Sequence, residues 1–301
     1  MSRRRAWAEL LRLPALFTVP GDALSGAVAA GARPGPRTLL AIGSSLCLYE
    51  AGMALNDWAD RAEDAAERPH RPLPSGRIRP SSALTAACAL TAAGLGLAAG
   101  AGRPALTVAT PLAATVWAYD LGLKHTPAGP VAMAAARGLD HLLGAAAGTG
   151  RPRAALSSAV LLGTHTLAVT AVSRRETQGG TSVPPLAALA ATAALTRVLA
   201  GRRGAAVSAG SGTFSKSGSA PGQVLRTGLA AAYALTAGRP YTHAALNPSP
   251  PLTQRAVGGG IRATIPLQAA LAARAGAGLT ALAIAALAPL GRRYAKKVSI
   301  T

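Results

Sequence analysis

Acidic residues are the scarcest chemistry in this 301-residue chain: eleven Asp and Glu stand against 31 Lys and Arg. Charge of either sign is thin as well, at 14% of residues, where soluble domains average roughly 25%. That shortage excludes an ordinary water-soluble enzyme. Cysteine occurs twice, at Cys47 and Cys88, both inside apolar runs, so neither a disulfide framework nor a zinc site is indicated. The net charge of +20 would suit nucleic acid. The basic residues, however, are scattered between apolar runs and form no block, so no nucleic-acid partner is expected.

What the chain has in quantity is apolar residues, half of the total. That excludes intrinsic disorder, which needs the opposite composition. Charge-free runs lie between Arg79 and Arg103, between Arg153 and Arg174, and between Glu176 and Arg197. Each is long enough for a spanning helix, which takes roughly 20 residues. The runs are rich in Ala, Gly and Thr, small side chains that let helix backbones approach closely inside lipid. The expected architecture is an all-α polytopic bundle of about nine membrane helices. Their expected spans are 15–32, 38–56, 81–100, 104–120, 128–148, 154–173, 183–200, 224–238 and 264–290. These form one domain over 1–301, with a flexible Gly/Ser-rich linker at 201–223. No cleavable signal peptide is evident, and the first helix is read as a retained anchor. Arg3, Arg4 and Arg5 favour an N-terminus on the cytoplasmic side of a bacterial membrane, although the remaining basic residues divide almost evenly between the two sides.

The few acids are unevenly placed. Asp57, Asp60, Glu63, Asp64 and Glu67 gather where the second span meets water. If the helix continues there, Asp57, Asp60 and Asp64 share one face at i, i+3 and i+7. Like charges at that spacing repel, so a cation is wanted. Carboxylates with the amide of Asn56 are hard oxygen donors suited to Mg²⁺, which keeps waters and bridges to phosphates. A plainer reading stands beside it: a solvated helix end whose acids pair with Arg61, Arg68, Arg71, Arg77 and Arg79.

The pattern Asn56-Asp57-x-x-Asp60-x-x-x-Asp64 is followed by Arg71-Pro72-Leu73-Pro74-Ser75-Gly76-Arg77. Together they resemble the first Asp-rich motif and following loop of UbiA-type intramembrane prenyltransferases. Tyr119 to Lys124 resembles that family's Tyr-x-x-x-x-Lys loop. The resemblance implies transfer of a prenyl group from a prenyl diphosphate to a hydrophobic or aromatic acceptor, with Mg²⁺ holding the diphosphate. It implies catalytic roles for Asp60, Asp64 and Lys124, and metal ligands at Asn56, Asp57, Asp60, Asp64 and Glu176. Asn56, Arg71, Arg77, Lys124, Arg174 and Arg175 become the diphosphate contacts.

The chain departs from the family where a second Asp-rich motif should follow the sixth helix. Residues 173–180 read Ser-Arg-Arg-Glu-Thr-Gln-Gly-Gly, with Glu176 the only acid. Either one metal site is lost and Arg174 and Arg175 take over, or the arginines are a boundary anchor. A carrier without catalysis, or a prenyl-diphosphate cyclase, remain alternatives on the same fold. Charges inside the bilayer are costly and face a cavity or a partner. Glu50, Arg137 and Asp140 are therefore candidates for the acceptor end of a cavity, with an Arg137–Asp140 ion pair as the structural alternative. Asp22, His141 and His165 are read as satisfied packing or cap residues. Arg239, His243, Asn247, Arg255 and Arg262 are placed in a loop before the last span.

Overall fold

The structure is a computed structural model, and it describes residues 3–174, 181–201 and 220–298. Every regular element in those residues is helical. In chain order they are α1 (Arg3–Leu10), α2 (Pro20–Ala29), α3 (Pro36–Ala59), α4 (Arg61–Glu67), α5 (Pro80–Ala101) and α6 (Arg103–Leu121). Then come α7 (Gly129–Thr149), α8 (Leu156–Ser173), α9 (Val183–Ala200), α10 (Ala220–Leu246), α11 (Pro250–Arg274) and α12 (Gly278–Val298). Short 3₁₀ turns lead into α2, α7 and α8.

Proline writes many of the starts. α2, α3, α5, α6, α7, α9 and α11 each carry Pro in the first two helical positions. There the missing N–H costs nothing and the fixed φ favours the helix. The expected spans at 38–56, 81–100, 104–120, 128–148, 154–173 and 183–200 coincide with α3 and α5 to α9 to within a few residues. Among the described residues, four helical segments are long and apolar enough to cross a bilayer: Pro36–Ala59, Pro80–Ala101, Pro152–Ser173 and Val183–Ala200.

Other expected boundaries are corrected. The span 15–32 is a 3₁₀ turn over Leu13–Thr18 followed by the ten-residue α2, too short to cross alone. The span 264–290 is two helices, because α11 ends at Arg274 and Gly276 turns the chain at φ +82°. The span 224–238 is the middle of the 27-residue α10. That helix begins at Ala220, inside the expected linker, while 202–219 lie outside the described residues. Arg239 and His243 belong to α10 and Arg255 and Arg262 to α11, leaving only Asn247 to Ser249 between the helices.

The chain divides into two compact units, residues 1–167 with 287–301, and residues 168–286. In the first unit α3 packs on α5, α6, α7 and α2, and α2 packs on α7. Its interior is made of small residues, with Ala41, Ala98, Ala105, Ala109 and Ala146 around Leu48 and Leu143. The α2–α7 contact needs glycine. A side chain on Gly26 would collide with the His141 carbonyl, and one on Gly144 would enter the Ala23 backbone. This close approach is the means by which helices pack where water cannot drive them together. In the second unit α10 packs on α9 and α11, around the fully buried Tyr233 and Tyr241.

A boundary acid cluster as the candidate active site

α3 carries Leu48, Ala54 and Leu55 into the interior and then delivers Asn56 and Asp57 at its last turn. The helix does not continue as expected. Asp60 leaves helical geometry (φ −84°, ψ 4°) and α4 restarts at Arg61. The hydrogen-bond ladder nevertheless runs through the kink, from Asp60 N–H to Asn56 O (2.9 Å) and from Asp64 N–H to Asp60 O (2.8 Å). Asp57 and Asp64 therefore still meet, and Arg71 is what joins them. Its Nη1 donates to Asp64 Oδ2 at 2.8 Å and lies 3.7 Å from Asp57 Oδ1. Both carboxylates are buried.

Arg71 can reach back because the loop after α4 folds over the motif. Gly76 takes φ +72°, a left-handed value that other residues adopt at a cost, and the turn closes with Ile78 N–H on Pro72 O. Leu73 and Ile78 anchor this loop beside Leu10, Ala54 and Leu55.

Further cations and one further acid complete the cluster. Lys124 forms an ion pair with Asp60, and His125 Nε2 lies 4.0 Å from the same carboxylate. Asn56 Nδ2 donates to Asp120 Oδ1 at 3.0 Å, fastening α3 to the end of α6. Arg12 Nη2 donates to Asp57 Oδ1 at 3.2 Å and to Asn56 Oδ1 at 3.5 Å. Its backbone lies at φ 48°, among the described residues the one non-glycine position at positive φ. Holding a residue there costs on the order of 1–3 kcal/mol, and the strained turn aims Arg12 at the motif. Arg12 and Asp120 have no assigned role in the sequence reading. For Asp120 a signal existed, a carboxylate four positions before Lys124 inside the recognised loop. For Arg12 there was none, since only the fold carries it to Asp57.

The other candidates separate. Arg77 does not reach the motif carboxylates; it is tied to Glu9 by bonds of 2.7 and 3.1 Å, to Ser75 Oγ at 3.0 Å and to His70 O at 2.5 Å. The bond to Glu9 holds its guanidinium above the usual arginine value. Arg61 leans on the Trp58 ring at 4.6 Å. Arg174 follows α8 in the second unit, while Arg175 and Glu176 lie outside the described residues.

Deeper in the first unit, Arg137 pairs with Asp22 at 2.9 Å, not with Asp140 as in the structural alternative offered by the sequence. Asp22 is fully buried, so it is the partner that permits Arg137 to lie there. Asp140 accepts from Ser45. Glu50 is buried with no hydrogen-bond partner for either oxygen among the described residues. His141 is satisfied by Ser25 (3.1 Å) and Ser158 (2.8 Å).

As a metal centre the boundary cluster differs from the set expected. Asp57 and Asp64 converge on Arg71, Asn56 on Asp120 and Arg12, and Asp60 on Lys124. Among the described residues, Asp60, Glu63 and His125 are the group whose donor atoms lie within 4.8 Å of one another. The donors are chiefly hard oxygens, which fit Mg²⁺, and their charge is balanced by Arg12, Arg68, Arg71 and Lys124.

A bundle of apolar helices whose first long helix, α3, ends in carboxylates interleaved with arginine and lysine defines a helical membrane protein with a charged site at the end of a spanning segment. The chain belongs to the UbiA prenyltransferase family, whose model matches residues 16–238. A digeranylgeranylglyceryl phosphate synthase of Methanopyrus kandleri is 35% identical over 150 residues, 48% of this chain and 54% of that protein. The matched stretch is thus about half the length of that relative. The fold is shared with the apo UbiA homolog of Aeropyrum pernix K1 (TM-score 0.66, 19% identity, 85% of this chain and 96% of that one). It is also shared with the UbiA homolog of Archaeoglobus fulgidus bound to DMAPP and Mg²⁺ (TM-score 0.58, 17% identity, 93% and 99%).

Proposed function

We propose that this chain is an integral-membrane, Mg²⁺-dependent prenyltransferase that moves the prenyl group of a prenyl diphosphate onto a hydroxyl acceptor. The observation that carries the reading is the interleaving of Asp57, Asp60 and Asp64 with Arg12, Arg71 and Lys124 at the end of an apolar helix. A diphosphate needs both signs of charge close by, and a prenyl tail needs the apolar helices beneath them.

In the reaction the allylic C–O bond breaks, its electron pair leaves with the diphosphate, and the allylic carbon becomes cationic. Arg71 and Lys124 are the cations best placed to stabilise the departing oxygens, and Arg12 adds a third. Magnesium, when bound, supplies Lewis-acid stabilisation of the same leaving group. Asn56, Asp57, Asp60 and Asp64 would hold it, with Asp120 and Glu63 beside them. The apolar helices keep water from the carbocation. The acceptor oxygen then attacks carbon and loses its proton.

For the acceptor we favour a glyceryl phosphate class of alcohol, supported by the name of the Methanopyrus relative, over the aromatic acceptors that the family resemblance also permits. Glu50 is the acceptor-side candidate because its carboxylate has no hydrogen-bond partner among the described residues. Arg137 and Asp140, which have partners, would shape that region. We place the acidic end of α3 on the cytoplasmic side of a bacterial membrane, on the strength of Arg3, Arg4 and Arg5. A non-catalytic lipid carrier is the second reading, favoured by the absence of aspartate from 173–180.

Purified protein incubated with labelled geranylgeranyl diphosphate, Mg²⁺ and a glyceryl phosphate acceptor should release diphosphate and yield an ether. Tight diphosphate binding without turnover would establish the carrier instead. Release with no acceptor present, giving a cyclised hydrocarbon, would indicate a cyclase.

A further inference from the structure

Away from the acid cluster, the first unit holds a cavity of about 320 Å³ lined by Trp7, Gly76, Arg77, Ile78, Arg79 and Ser82. Small-molecule sites run to roughly 300–1,000 Å³, so the space admits a compact polar group. Its inner wall is apolar, since Ile78 is 4% exposed and Trp7 packs against the same buried cluster. Its outer wall is basic, and the two arginines differ. Arg77 is fixed and neutralised by Glu9, with Ser75 and His70 O holding the guanidinium in place. Arg79 is exposed and has no ion-pair partner among the described residues. The cavity thus carries one uncompensated positive charge, beside a second guanidinium that is already oriented.

Position supplies the rest. Pro80 opens α5, an apolar helix long enough to cross a bilayer and mostly unburied by the rest of the protein. The cavity therefore sits where a lipid-facing helix leaves the bilayer. Trp7 belongs at such a boundary, its ring amphipathic and its neighbours Arg4 and Arg5 exposed on α1.

We propose that this cavity binds the phosphate headgroup of an anionic membrane phospholipid. One uncompensated arginine matches the single negative charge of a phosphodiester. Arg79 and Ser82 can donate hydrogen bonds to its oxygens, while Trp7 and Ile78 meet the glycerol and the first methylenes.

Delipidated protein titrated with short-chain phosphatidylglycerol and, separately, phosphatidylcholine, with bound lipid counted by native mass spectrometry, tests the proposal. Phosphatidylglycerol should bind more tightly. Arg79→Ala should lose about fivefold of that preference, Arg79→Lys should keep it, and Ser82→Asp should abolish it by placing a like charge against the phosphate. Equal binding of the two lipids overturns the proposal, as does an undiminished preference in correctly folded Arg79→Ala and Ser82→Asp. Inorganic phosphate that competes as well as phosphatidylglycerol also overturns it, by making free phosphate the ligand. None of these readouts depends on prenyl transfer.

Discussion

The first unit contains two clusters of opposite charges, and they are built on different principles. At the end of α3, largely buried carboxylates meet a largely buried lysine and three arginines that are partly open to water. Arg12 is 41% exposed, Arg68 47% and Arg71 22% in their side chains. Between α2 and α7, by contrast, a fully buried Asp22 meets one arginine, and glycines draw the two backbones together around it. Exposed pairs are individually weak and exchange partners easily. The interior pair has a fully buried carboxylate and an arginine only 17% exposed, and breaking a buried pair is costly because one charge is left stranded. The boundary cluster can therefore trade its arginines for a metal and a diphosphate, and the interior pair can only hold helices.

Arg137→Met should give the largest effect on this contrast. It strands Asp22 and should cost about 3 kcal/mol of stability, read as a lowered unfolding temperature in detergent. Asp22→Leu combined with Arg137→Met should recover much of that loss. Asp60→Ala should behave in the opposite way, lowering kcat by roughly 10²–10³ with little change in unfolding temperature. If Asp60→Ala instead destabilises the protein as strongly as Arg137→Met, the two clusters are alike and the contrast fails. Gly144→Val, which forces α2 away from α7, should cost about 1–3 kcal/mol and sharpen the claim that backbone approach holds the interior pair. The smallest effect belongs to Arg68→Ala. Its 3.9 Å pair with Asp64 should contribute less than about 1 kcal/mol, and the change should leave both unfolding temperature and turnover close to those of the parent.

Much of the architecture was legible because charge-free runs and helix-starting prolines are local signals. That is why α3 and α5 to α9 fell where the runs lie. The misplaced elements had signals that cancelled. At 264–290 the composition is largely apolar around Gln268 and Arg274, and Gly276 at positive φ is the break; a glycine in so glycine-rich a chain does not announce its φ. At 15–32 the run is apolar, yet α2 is short because the chain must arrive there from the turn at Arg12.

For the site, residue chemistry and spacing marked Asn56, Asp57, Asp60 and Asp64 as a candidate cation site, and the family resemblance added Lys124. Pairings were beyond their reach. Which arginine meets Asp57, and whether Arg137 chooses Asp140 three residues away or Asp22 on another helix, depends on helix packing. Arg77 and Arg71 lie in one loop and look equivalent in sequence; the turn at Gly76 sends one to Glu9 and leaves the other on Asp64.

By itself the sequence determined a basic, apolar, acid-poor chain with its few carboxylates concentrated at one helix end, because composition and spacing are properties of the chain alone. The tertiary structure decided which cations neutralise those carboxylates, which arginine stands unpaired beside a cavity, and which charges are sealed inside. Ion pairs form between groups brought within a few ångströms, and for residues far apart in sequence only the packed helices set that distance.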